Sequence, residues 1–337
     1  MRAARHLFAG GVCAGTNLPT PGCANWCRSL GGKVCVGALI LISSKASAQS
    51  LFMSDGYGNN IDEFTPGGVQ STFASGLRGP VGLAFDSSGD LFESDDVSGN
   101  IYKFTPGGVQ STYAFGLIQP YGLAFNSSGD LFVTTYGGRG SIIKITPNGV
   151  QSTITSSLSY PVALAFDSAG NLFVSLMGNG TIAEVTPGGV QSTYASGGGH
   201  LTGLAFDRAG DLFVADASAN DIYEITTDGV ATTFASGLNF PDALVFDSAG
   251  DLFVSEINGH SITKILPNGT QSTFASGPYI PYGLAINIET TPEPSAFELM
   301  AVGTIALLVL QRRLHPPAHS IKSTVIFSNL KVSPDEQ

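Results

Sequence analysis

Past Cys35 the chain has no cysteine, and its only tryptophan is Trp26. All four cysteines (Cys13, Cys23, Cys27, Cys35) precede residue 49, so the remainder of the chain can build neither a disulfide nor a thiol-based site. Cys23 and Cys27 are not accompanied by the second pair or the histidine set that a metal site of that type needs. Basic residues are scarce too. From Leu51 to Glu289 six Lys/Arg (Arg78, Lys103, Arg139, Lys144, Arg208, Lys264) face 22 Asp/Glu, a formal −16. Such a surface repels phosphate backbones and anionic headgroups, which argues against nucleic acid as a partner. No Ser-His-Asp set, nucleophile elbow, P-loop or dinucleotide fingerprint is visible, and no catalytic residue is assigned.

What the chain has in abundance is glycine, 43 residues, with 18 prolines, a composition of many tight turns. Leu-Phe recurs at 51, 91, 131, 172, 212 and 252, a period of about 40 residues. Each unit holds four short apolar runs, for example GLAFD (82–86), LFESD (91–95), NIYKFT (100–105) and VQSTYA (109–114). The bend before the last run is Gly67-Gly68, Gly107-Gly108, Asn148-Gly149, Gly188-Gly189, Asp228-Gly229 or Asn268-Gly269, residues that accept the positive φ of tight hairpins. The array begins at a second strand (51–55) and ends after a first strand (283–287), so the two fragments complete one unit. This predicts an all-β, six-bladed β-propeller with four antiparallel strands per blade, closed by pairing its terminal strands; a β-solenoid would not need complementary half-units.

The ends differ from this array. Arg28 and Lys33 precede the apolar run 34–42 and the small-residue site Ala46-Ser47-Ala48, the layout of a secretory signal peptide with cleavage after Ala48. Residues 1–27 form an atypical prefix to it. At the other end Pro292-Glu293-Pro294 leads into the apolar run 297–310 and Arg312-Arg313. This order resembles the PEP-CTERM sorting signal of Gram-negative bacteria. The resemblance implies an exosortase-type protease and the export machinery as partners, and a destination at the cell surface or in the extracellular matrix. Contact with the membrane would be through the terminal sorting helix alone; an ordinary C-terminal anchor is the alternative. Glu298 within the run and the tail 314–337 depart from the pattern. The expected division is 1–48 signal peptide, 49–288 propeller, 289–313 sorting signal and 314–337 tail of unassigned role.

The units, with P-x-G-L-A-F-D, G-D-L-F-V-S-D and I-x-K-F-T-P, resemble the NHL-repeat propellers and the related gluconolactonases over residues 51–288. Most NHL-type propellers are binding platforms and some are enzymes, so the resemblance leaves function open. In gluconolactonases the motif that Pro241-Asp242 resembles supplies a metal-binding aspartate, with an asparagine and a glutamate on other inner strands. Here the corresponding starts are Val, Thr or Tyr.

Alternation of strand direction puts the bends DSSGD and TPGGV on one edge of the ring. The second-to-third loops and the crossovers fall on the other. The first set is nearly the same in every unit and serves the blade; the second differs in every unit and is free to serve a ligand. Position x of P-x-G-L-A opens the inner strand at the channel mouth, and its occupants are Tyr282, Val81, Tyr121, Val162, Thr202 and Asp242. Candidate ligand residues on this edge are Tyr121, Tyr282, Asp242, Tyr160, Tyr136, His200 and His260, with Tyr57, Tyr279, Phe240, Arg78 and Arg139 also there. The alternative role for the tyrosines is to plug gaps between blades.

Acids close the second strands at Asp55, Asp95, Asp216 and Glu256 as caps of the following loop, and Asp216 and Glu256 are, with Asp242, weak metal candidates. The reading is a binding module for polysaccharide or peptide without cofactor; the alternatives are a bound Ca²⁺ or other divalent ion, and a metal-dependent hydrolase or lactonase. Export is tested by intact mass from the native host. The expected product starts near Gln49 and ends near Pro292-Glu293-Pro294, and one containing Cys13 or residues 314–337 contradicts it.

Overall fold

A computed structural model describes residues 49–287 except Gly138. Ala46, Ala48, Pro292, Glu293, Pro294, Arg312 and Arg313, on which the two sorting signals rest, lie outside them. The described residues form six sheets of four antiparallel strands, a six-bladed β-propeller, and no helix is found among them. Blade I is built from both ends of the array, with Pro281–Asn287 innermost, then Ser50–Asp55, Asn60–Phe64 and Gln70–Ser75. Leu51 pairs with Ile286, Phe52 with Ala285 and Met53 with Leu284, which closes the ring as the half-units require. Blades II to VI come in chain order from the inner strands Pro80–Phe85, Pro120–Phe125, Pro161–Phe166, Leu201–Phe206 and Pro241–Phe246.

The repeated Leu-Phe pair supplies the packing between blades. In the second strand of blade II Leu91 faces blade I, while Phe92 sits edge-on to Tyr113 of its own outer strand and to Phe125 of blade III, both at 4.9 Å. Phe52, Phe173 and Phe213 make the same double edge-to-face contact, each ring gaining both burial and quadrupole attraction. In the hairpin bends the second residue carries the positive φ, 78° at Gly68, and its N–H donates to Thr65 O at 2.8 Å. At Gly82 glycine is required by proximity instead, because a Cβ there would collide with the Tyr121 carbonyl of the next blade.

A ring of hydroxyls lies deeper, at the position before the last residue of the second strand. Ser94 Oγ accepts the Gly82 N–H of its own inner strand at 2.8 Å and donates to Tyr121 O of blade III at 2.5 Å. Thr134 does the same between Gly122 N–H and Val162 O, and Ser175 between Ala163 N–H and Thr202 O. Ser255 links Ala243 N–H to Tyr282 O, and Ser54 links Gly283 N–H to Val81 O. Blade V has Ala215 at that place, and Thr202 on the inner strand donates instead to Pro241 O at 2.9 Å. Each hydroxyl therefore satisfies buried backbone groups and fixes the inner-strand start of the next blade.

Glu93 breaks the pattern of its strand. The other blades place Met53, Val133, Val174, Val214 or Val254 there, whereas Glu93 is 0 % exposed and neither carboxylate oxygen has a hydrogen-bond partner. Burial first, then Asp95 and Asp96, pushes its pKa well above the ordinary 4.5.

Two outcomes are expected. Ser94→Ala strands a buried N–H and a carbonyl and lowers unfolding free energy by about 1–3 kcal/mol, measured by urea denaturation. Because the folded state holds the Glu93 proton more tightly than the unfolded chain, its contribution to stability declines as pH rises above 4.5. Glu93→Val removes that slope and stabilises the protein at pH 7, readable from thermal melts across pH.

Candidate functional site

The inner strands start at one edge of the ring, so their first side chains converge on the channel. Val81, Tyr121, Val162 and Asp242 line a central channel of about 150 Å³ together with the Gly or Ala and the Leu that come after position x. Above it opens a cavity of about 630 Å³. Its floor is Val81, Tyr121, Val162, Thr202, Asp242 and Tyr282. Its walls come from crossovers (Arg78, Gln119, Phe240) and second-to-third loops (Asp96, Tyr136, Met177, Ile257). The edge whose sequence differs from blade to blade thus encloses one concave site.

The opposite edge is occupied with its own bends. Asp86 Oδ1 accepts the N–H groups of Ser88 and Asp90, and Asn126, Asp167, Asp207 and Asp247 repeat this in blades III to VI. Lys103, Lys144 and Lys264 pair with Asp90, Asp130 and Asp251 at 2.6–2.7 Å on that side.

At the mouth Asp242 is 5 % exposed, and burial alone raises its pKa from 3.8 to about 7. No hydrogen bond or ion pair engages its carboxylate among the described residues. The Tyr121 hydroxyl is pushed well above its ordinary value by burial and by the nearby Asp242, Tyr282, Tyr136 and Asp96. Tyr282 is raised by burial, Asp242 and Asp96. Tyr121, Tyr282 and Asp242 therefore come together as their positions in the repeat suggest.

Tyr136 and Tyr160 extend this group outward. The Tyr121 and Tyr136 rings are 5.8 Å apart at 32°, those of Tyr136 and Tyr160 5.0 Å apart at 46°, and Tyr160 is 52 % exposed. The three form a row from the channel mouth to the rim. Gln119, Tyr160 and Phe240, each just before an inner-strand proline, hold φ of 47°, 50° and 58°. Three non-glycine residues in the left-handed region at one mouth are strain of about 1–3 kcal/mol apiece, borne where side chains must be aimed.

The remaining candidates have other places. Asp216 accepts N–H groups from Gly199, His200, Ser218 and Ala219, and these bonds hold its carboxyl below the usual range against the opposing effect of burial. Glu256 accepts the Asn239 N–H at 2.7 Å and bonds Thr263, and Asp95 accepts those of Arg78 and Ser98. These acids cap the loop and clamp the preceding crossover. His200 is exposed, and its N–H belongs to the Asp216 cap. His260 Nδ1 meets Tyr279 O at 2.6 Å. Neither histidine borders the mouth cavity. Tyr279, 2 % exposed against Phe64, is a plug between blades, and Tyr57 borders a separate notch beside Asp62.

Among the described residues no three His, Cys, Asp or Glu side chains gather to hold a metal ion. Asp242 stands as the single carboxylate of the inner-strand starts, among Val81, Val162 and Thr202. That donor set does not fit a hard divalent cation, which takes six or more oxygens.

No protein-family model matches the chain, and no curated protein sequence does. Solved structures do match. A chain of a nidogen/laminin complex superposes with a TM-score of 0.65 at 20% identity, covering 71% of this chain and 98% of that one. A catalytically inactive virginiamycin B lyase from Staphylococcus aureus, solved with quinupristin, gives 0.56 at 18%, over 72% and 94%. A gluconolactonase from Xanthomonas campestris gives 0.56 at 17%, over 60% and 78%. At these identities the likeness is one of fold: the chain is a six-bladed propeller of the architecture that these lyases and lactonases share.

The buried Asp242 makes stability depend on pH. Its folded pKa lies above the unfolded value, so its contribution to stability is full below pH 3.8 and is lost as pH rises toward 7. Asp242→Asn is expected to abolish this contribution and to gain up to about 4 kcal/mol over the wild type at pH 8, but little at pH 4, by denaturant titration.

Proposed function

We propose that the protein is an exported, non-catalytic binding module of the cell surface or extracellular matrix, taking a polysaccharide or peptide at the channel mouth. The observation that carries this is the row Tyr121, Tyr136, Tyr160, which leads from the rim to Tyr282 and Asp242. A series of flat, amphipathic faces suits an extended chain lying along it, each ring offering an apolar surface and a hydroxyl. The concave mouth then lets several groups hold one end. Export and attachment are drawn from the two terminal signals, with the export machinery and an exosortase-type protease as partners.

A second reading, a metal-dependent hydrolase or lactonase, has in its favour the likeness in fold to a gluconolactonase. Weighing against it is the solitary Asp242. The test is binding to matrix extracted from the host. Tyr121→Ala and Tyr282→Ala are expected to weaken it at least tenfold, with changes in the bend 86–90 leaving it intact; the opposite pattern places the interaction on the other edge.

A further inference from the structure

Resting on the mouth as the ligand site, we propose that the group entering it is an organic cation, an alkylammonium head, held by Asp242 within a wall of aromatic rings. Asp242 is more than nine-tenths buried, lacks hydrogen-bond and ionic partners among the described residues, and borders both the channel and the mouth cavity. A carboxylate in that state is under-compensated: it has lost most of its exposure to solvent and received no protein donor in exchange. A ligand bringing positive charge supplies what the fold does not.

The surroundings favour a cation on a hydrocarbon over a bare metal ion. Tyr121, Tyr136, Tyr282 and Phe240 border the same cavity, and aromatic faces attract ammonium groups through their quadrupoles. A metal would need several more oxygens than Asp242 offers, whereas an ammonium needs one carboxylate and ring faces. Asp96 adds a second acid at the wall, and Arg78 is the single basic residue bordering the cavity, so its charged side chains sum to negative when both acids are ionised. The same balance disfavours an anionic ligand there.

The experiment is isothermal titration of the protein at pH 8 with n-butylammonium chloride, n-butanol and calcium chloride separately, alongside displacement of bound host matrix by each. Butylammonium is expected to bind in the millimolar range and to displace matrix, and butanol to do neither. Asp242→Asn should weaken butylammonium at least tenfold while its melting temperature stays at or above that of the wild type. Tyr282→Leu should weaken it several-fold and Tyr282→Phe hardly at all. Stoichiometric calcium binding lost in Asp242→Asn, or equal binding of butanol and butylammonium, overturns the cation. If matrix binding requires Tyr121 and Tyr282 but butylammonium does not bind, the cation fails and the mouth stands. If matrix binding is indifferent to both tyrosines, the mouth itself fails.

Discussion

The hydroxyl one residue before the end of the second strand is the contact on which the ring depends. Ser54, Ser94, Thr134, Ser175 and Ser255 each answer an N–H of one blade and a carbonyl of the next with a single oxygen. Hydrophobic packing through Leu-Phe brings neighbouring blades together but does not set their register, because burial is non-directional. The hydroxyls supply direction. The carbonyls they hold at Tyr121 and Tyr282 belong to residues whose side chains form the mouth, so the same atoms that join the blades also aim the site.

Repeated and variable positions are separated by strand direction. On the repeated edge, Asx turns and Lys–Asp pairs engage the polar side chains with one another, and the sequence there scarcely varies. On the other edge the strand-closing acids hold the crossovers by backbone bonds alone, leaving neighbouring side chains free to differ. That freedom lets one mouth contain both tyrosines and Asp242, within a ring of near-identical parts. Blade V marks where the scheme bends: Thr202, a mouth position, is committed to the seam in place of the missing serine, and the next inner strand carries the acid.

Much of this was legible in the sequence, since a 40-residue period, hairpin glycines and complementary half-units each constrain topology. Strand order alone identifies the inner-strand starts, so the grouping of Tyr121, Tyr282 and Asp242 is already implicit in the repeat. The limits were those of side-chain direction. Tyr279 lies two residues before the inner-strand proline and reads like its neighbours, yet it turns inward and fills the seam that leucine fills elsewhere. His200 and His260 sit on the right edge but beside loops, not over the channel. The serine ring was visible as a recurring Ser or Thr at 54, 94, 134, 175 and 255, a signal that composition and period do not rank above any other repeated residue. Glu93 could have been found in the same way, as the one charged residue in a column of Val and Met.

The closure of blade I fixes where the described chain starts and stops. Ser50 pairs with Asn287, and Gln49 Oε1 accepts the Ser248 N–H of a repeated bend. Both ends of the described chain therefore emerge side by side from the edge opposite the mouth. A tether joined at Gln49 or Asn287 is therefore joined to the face away from the aperture, as a stem is to a flower.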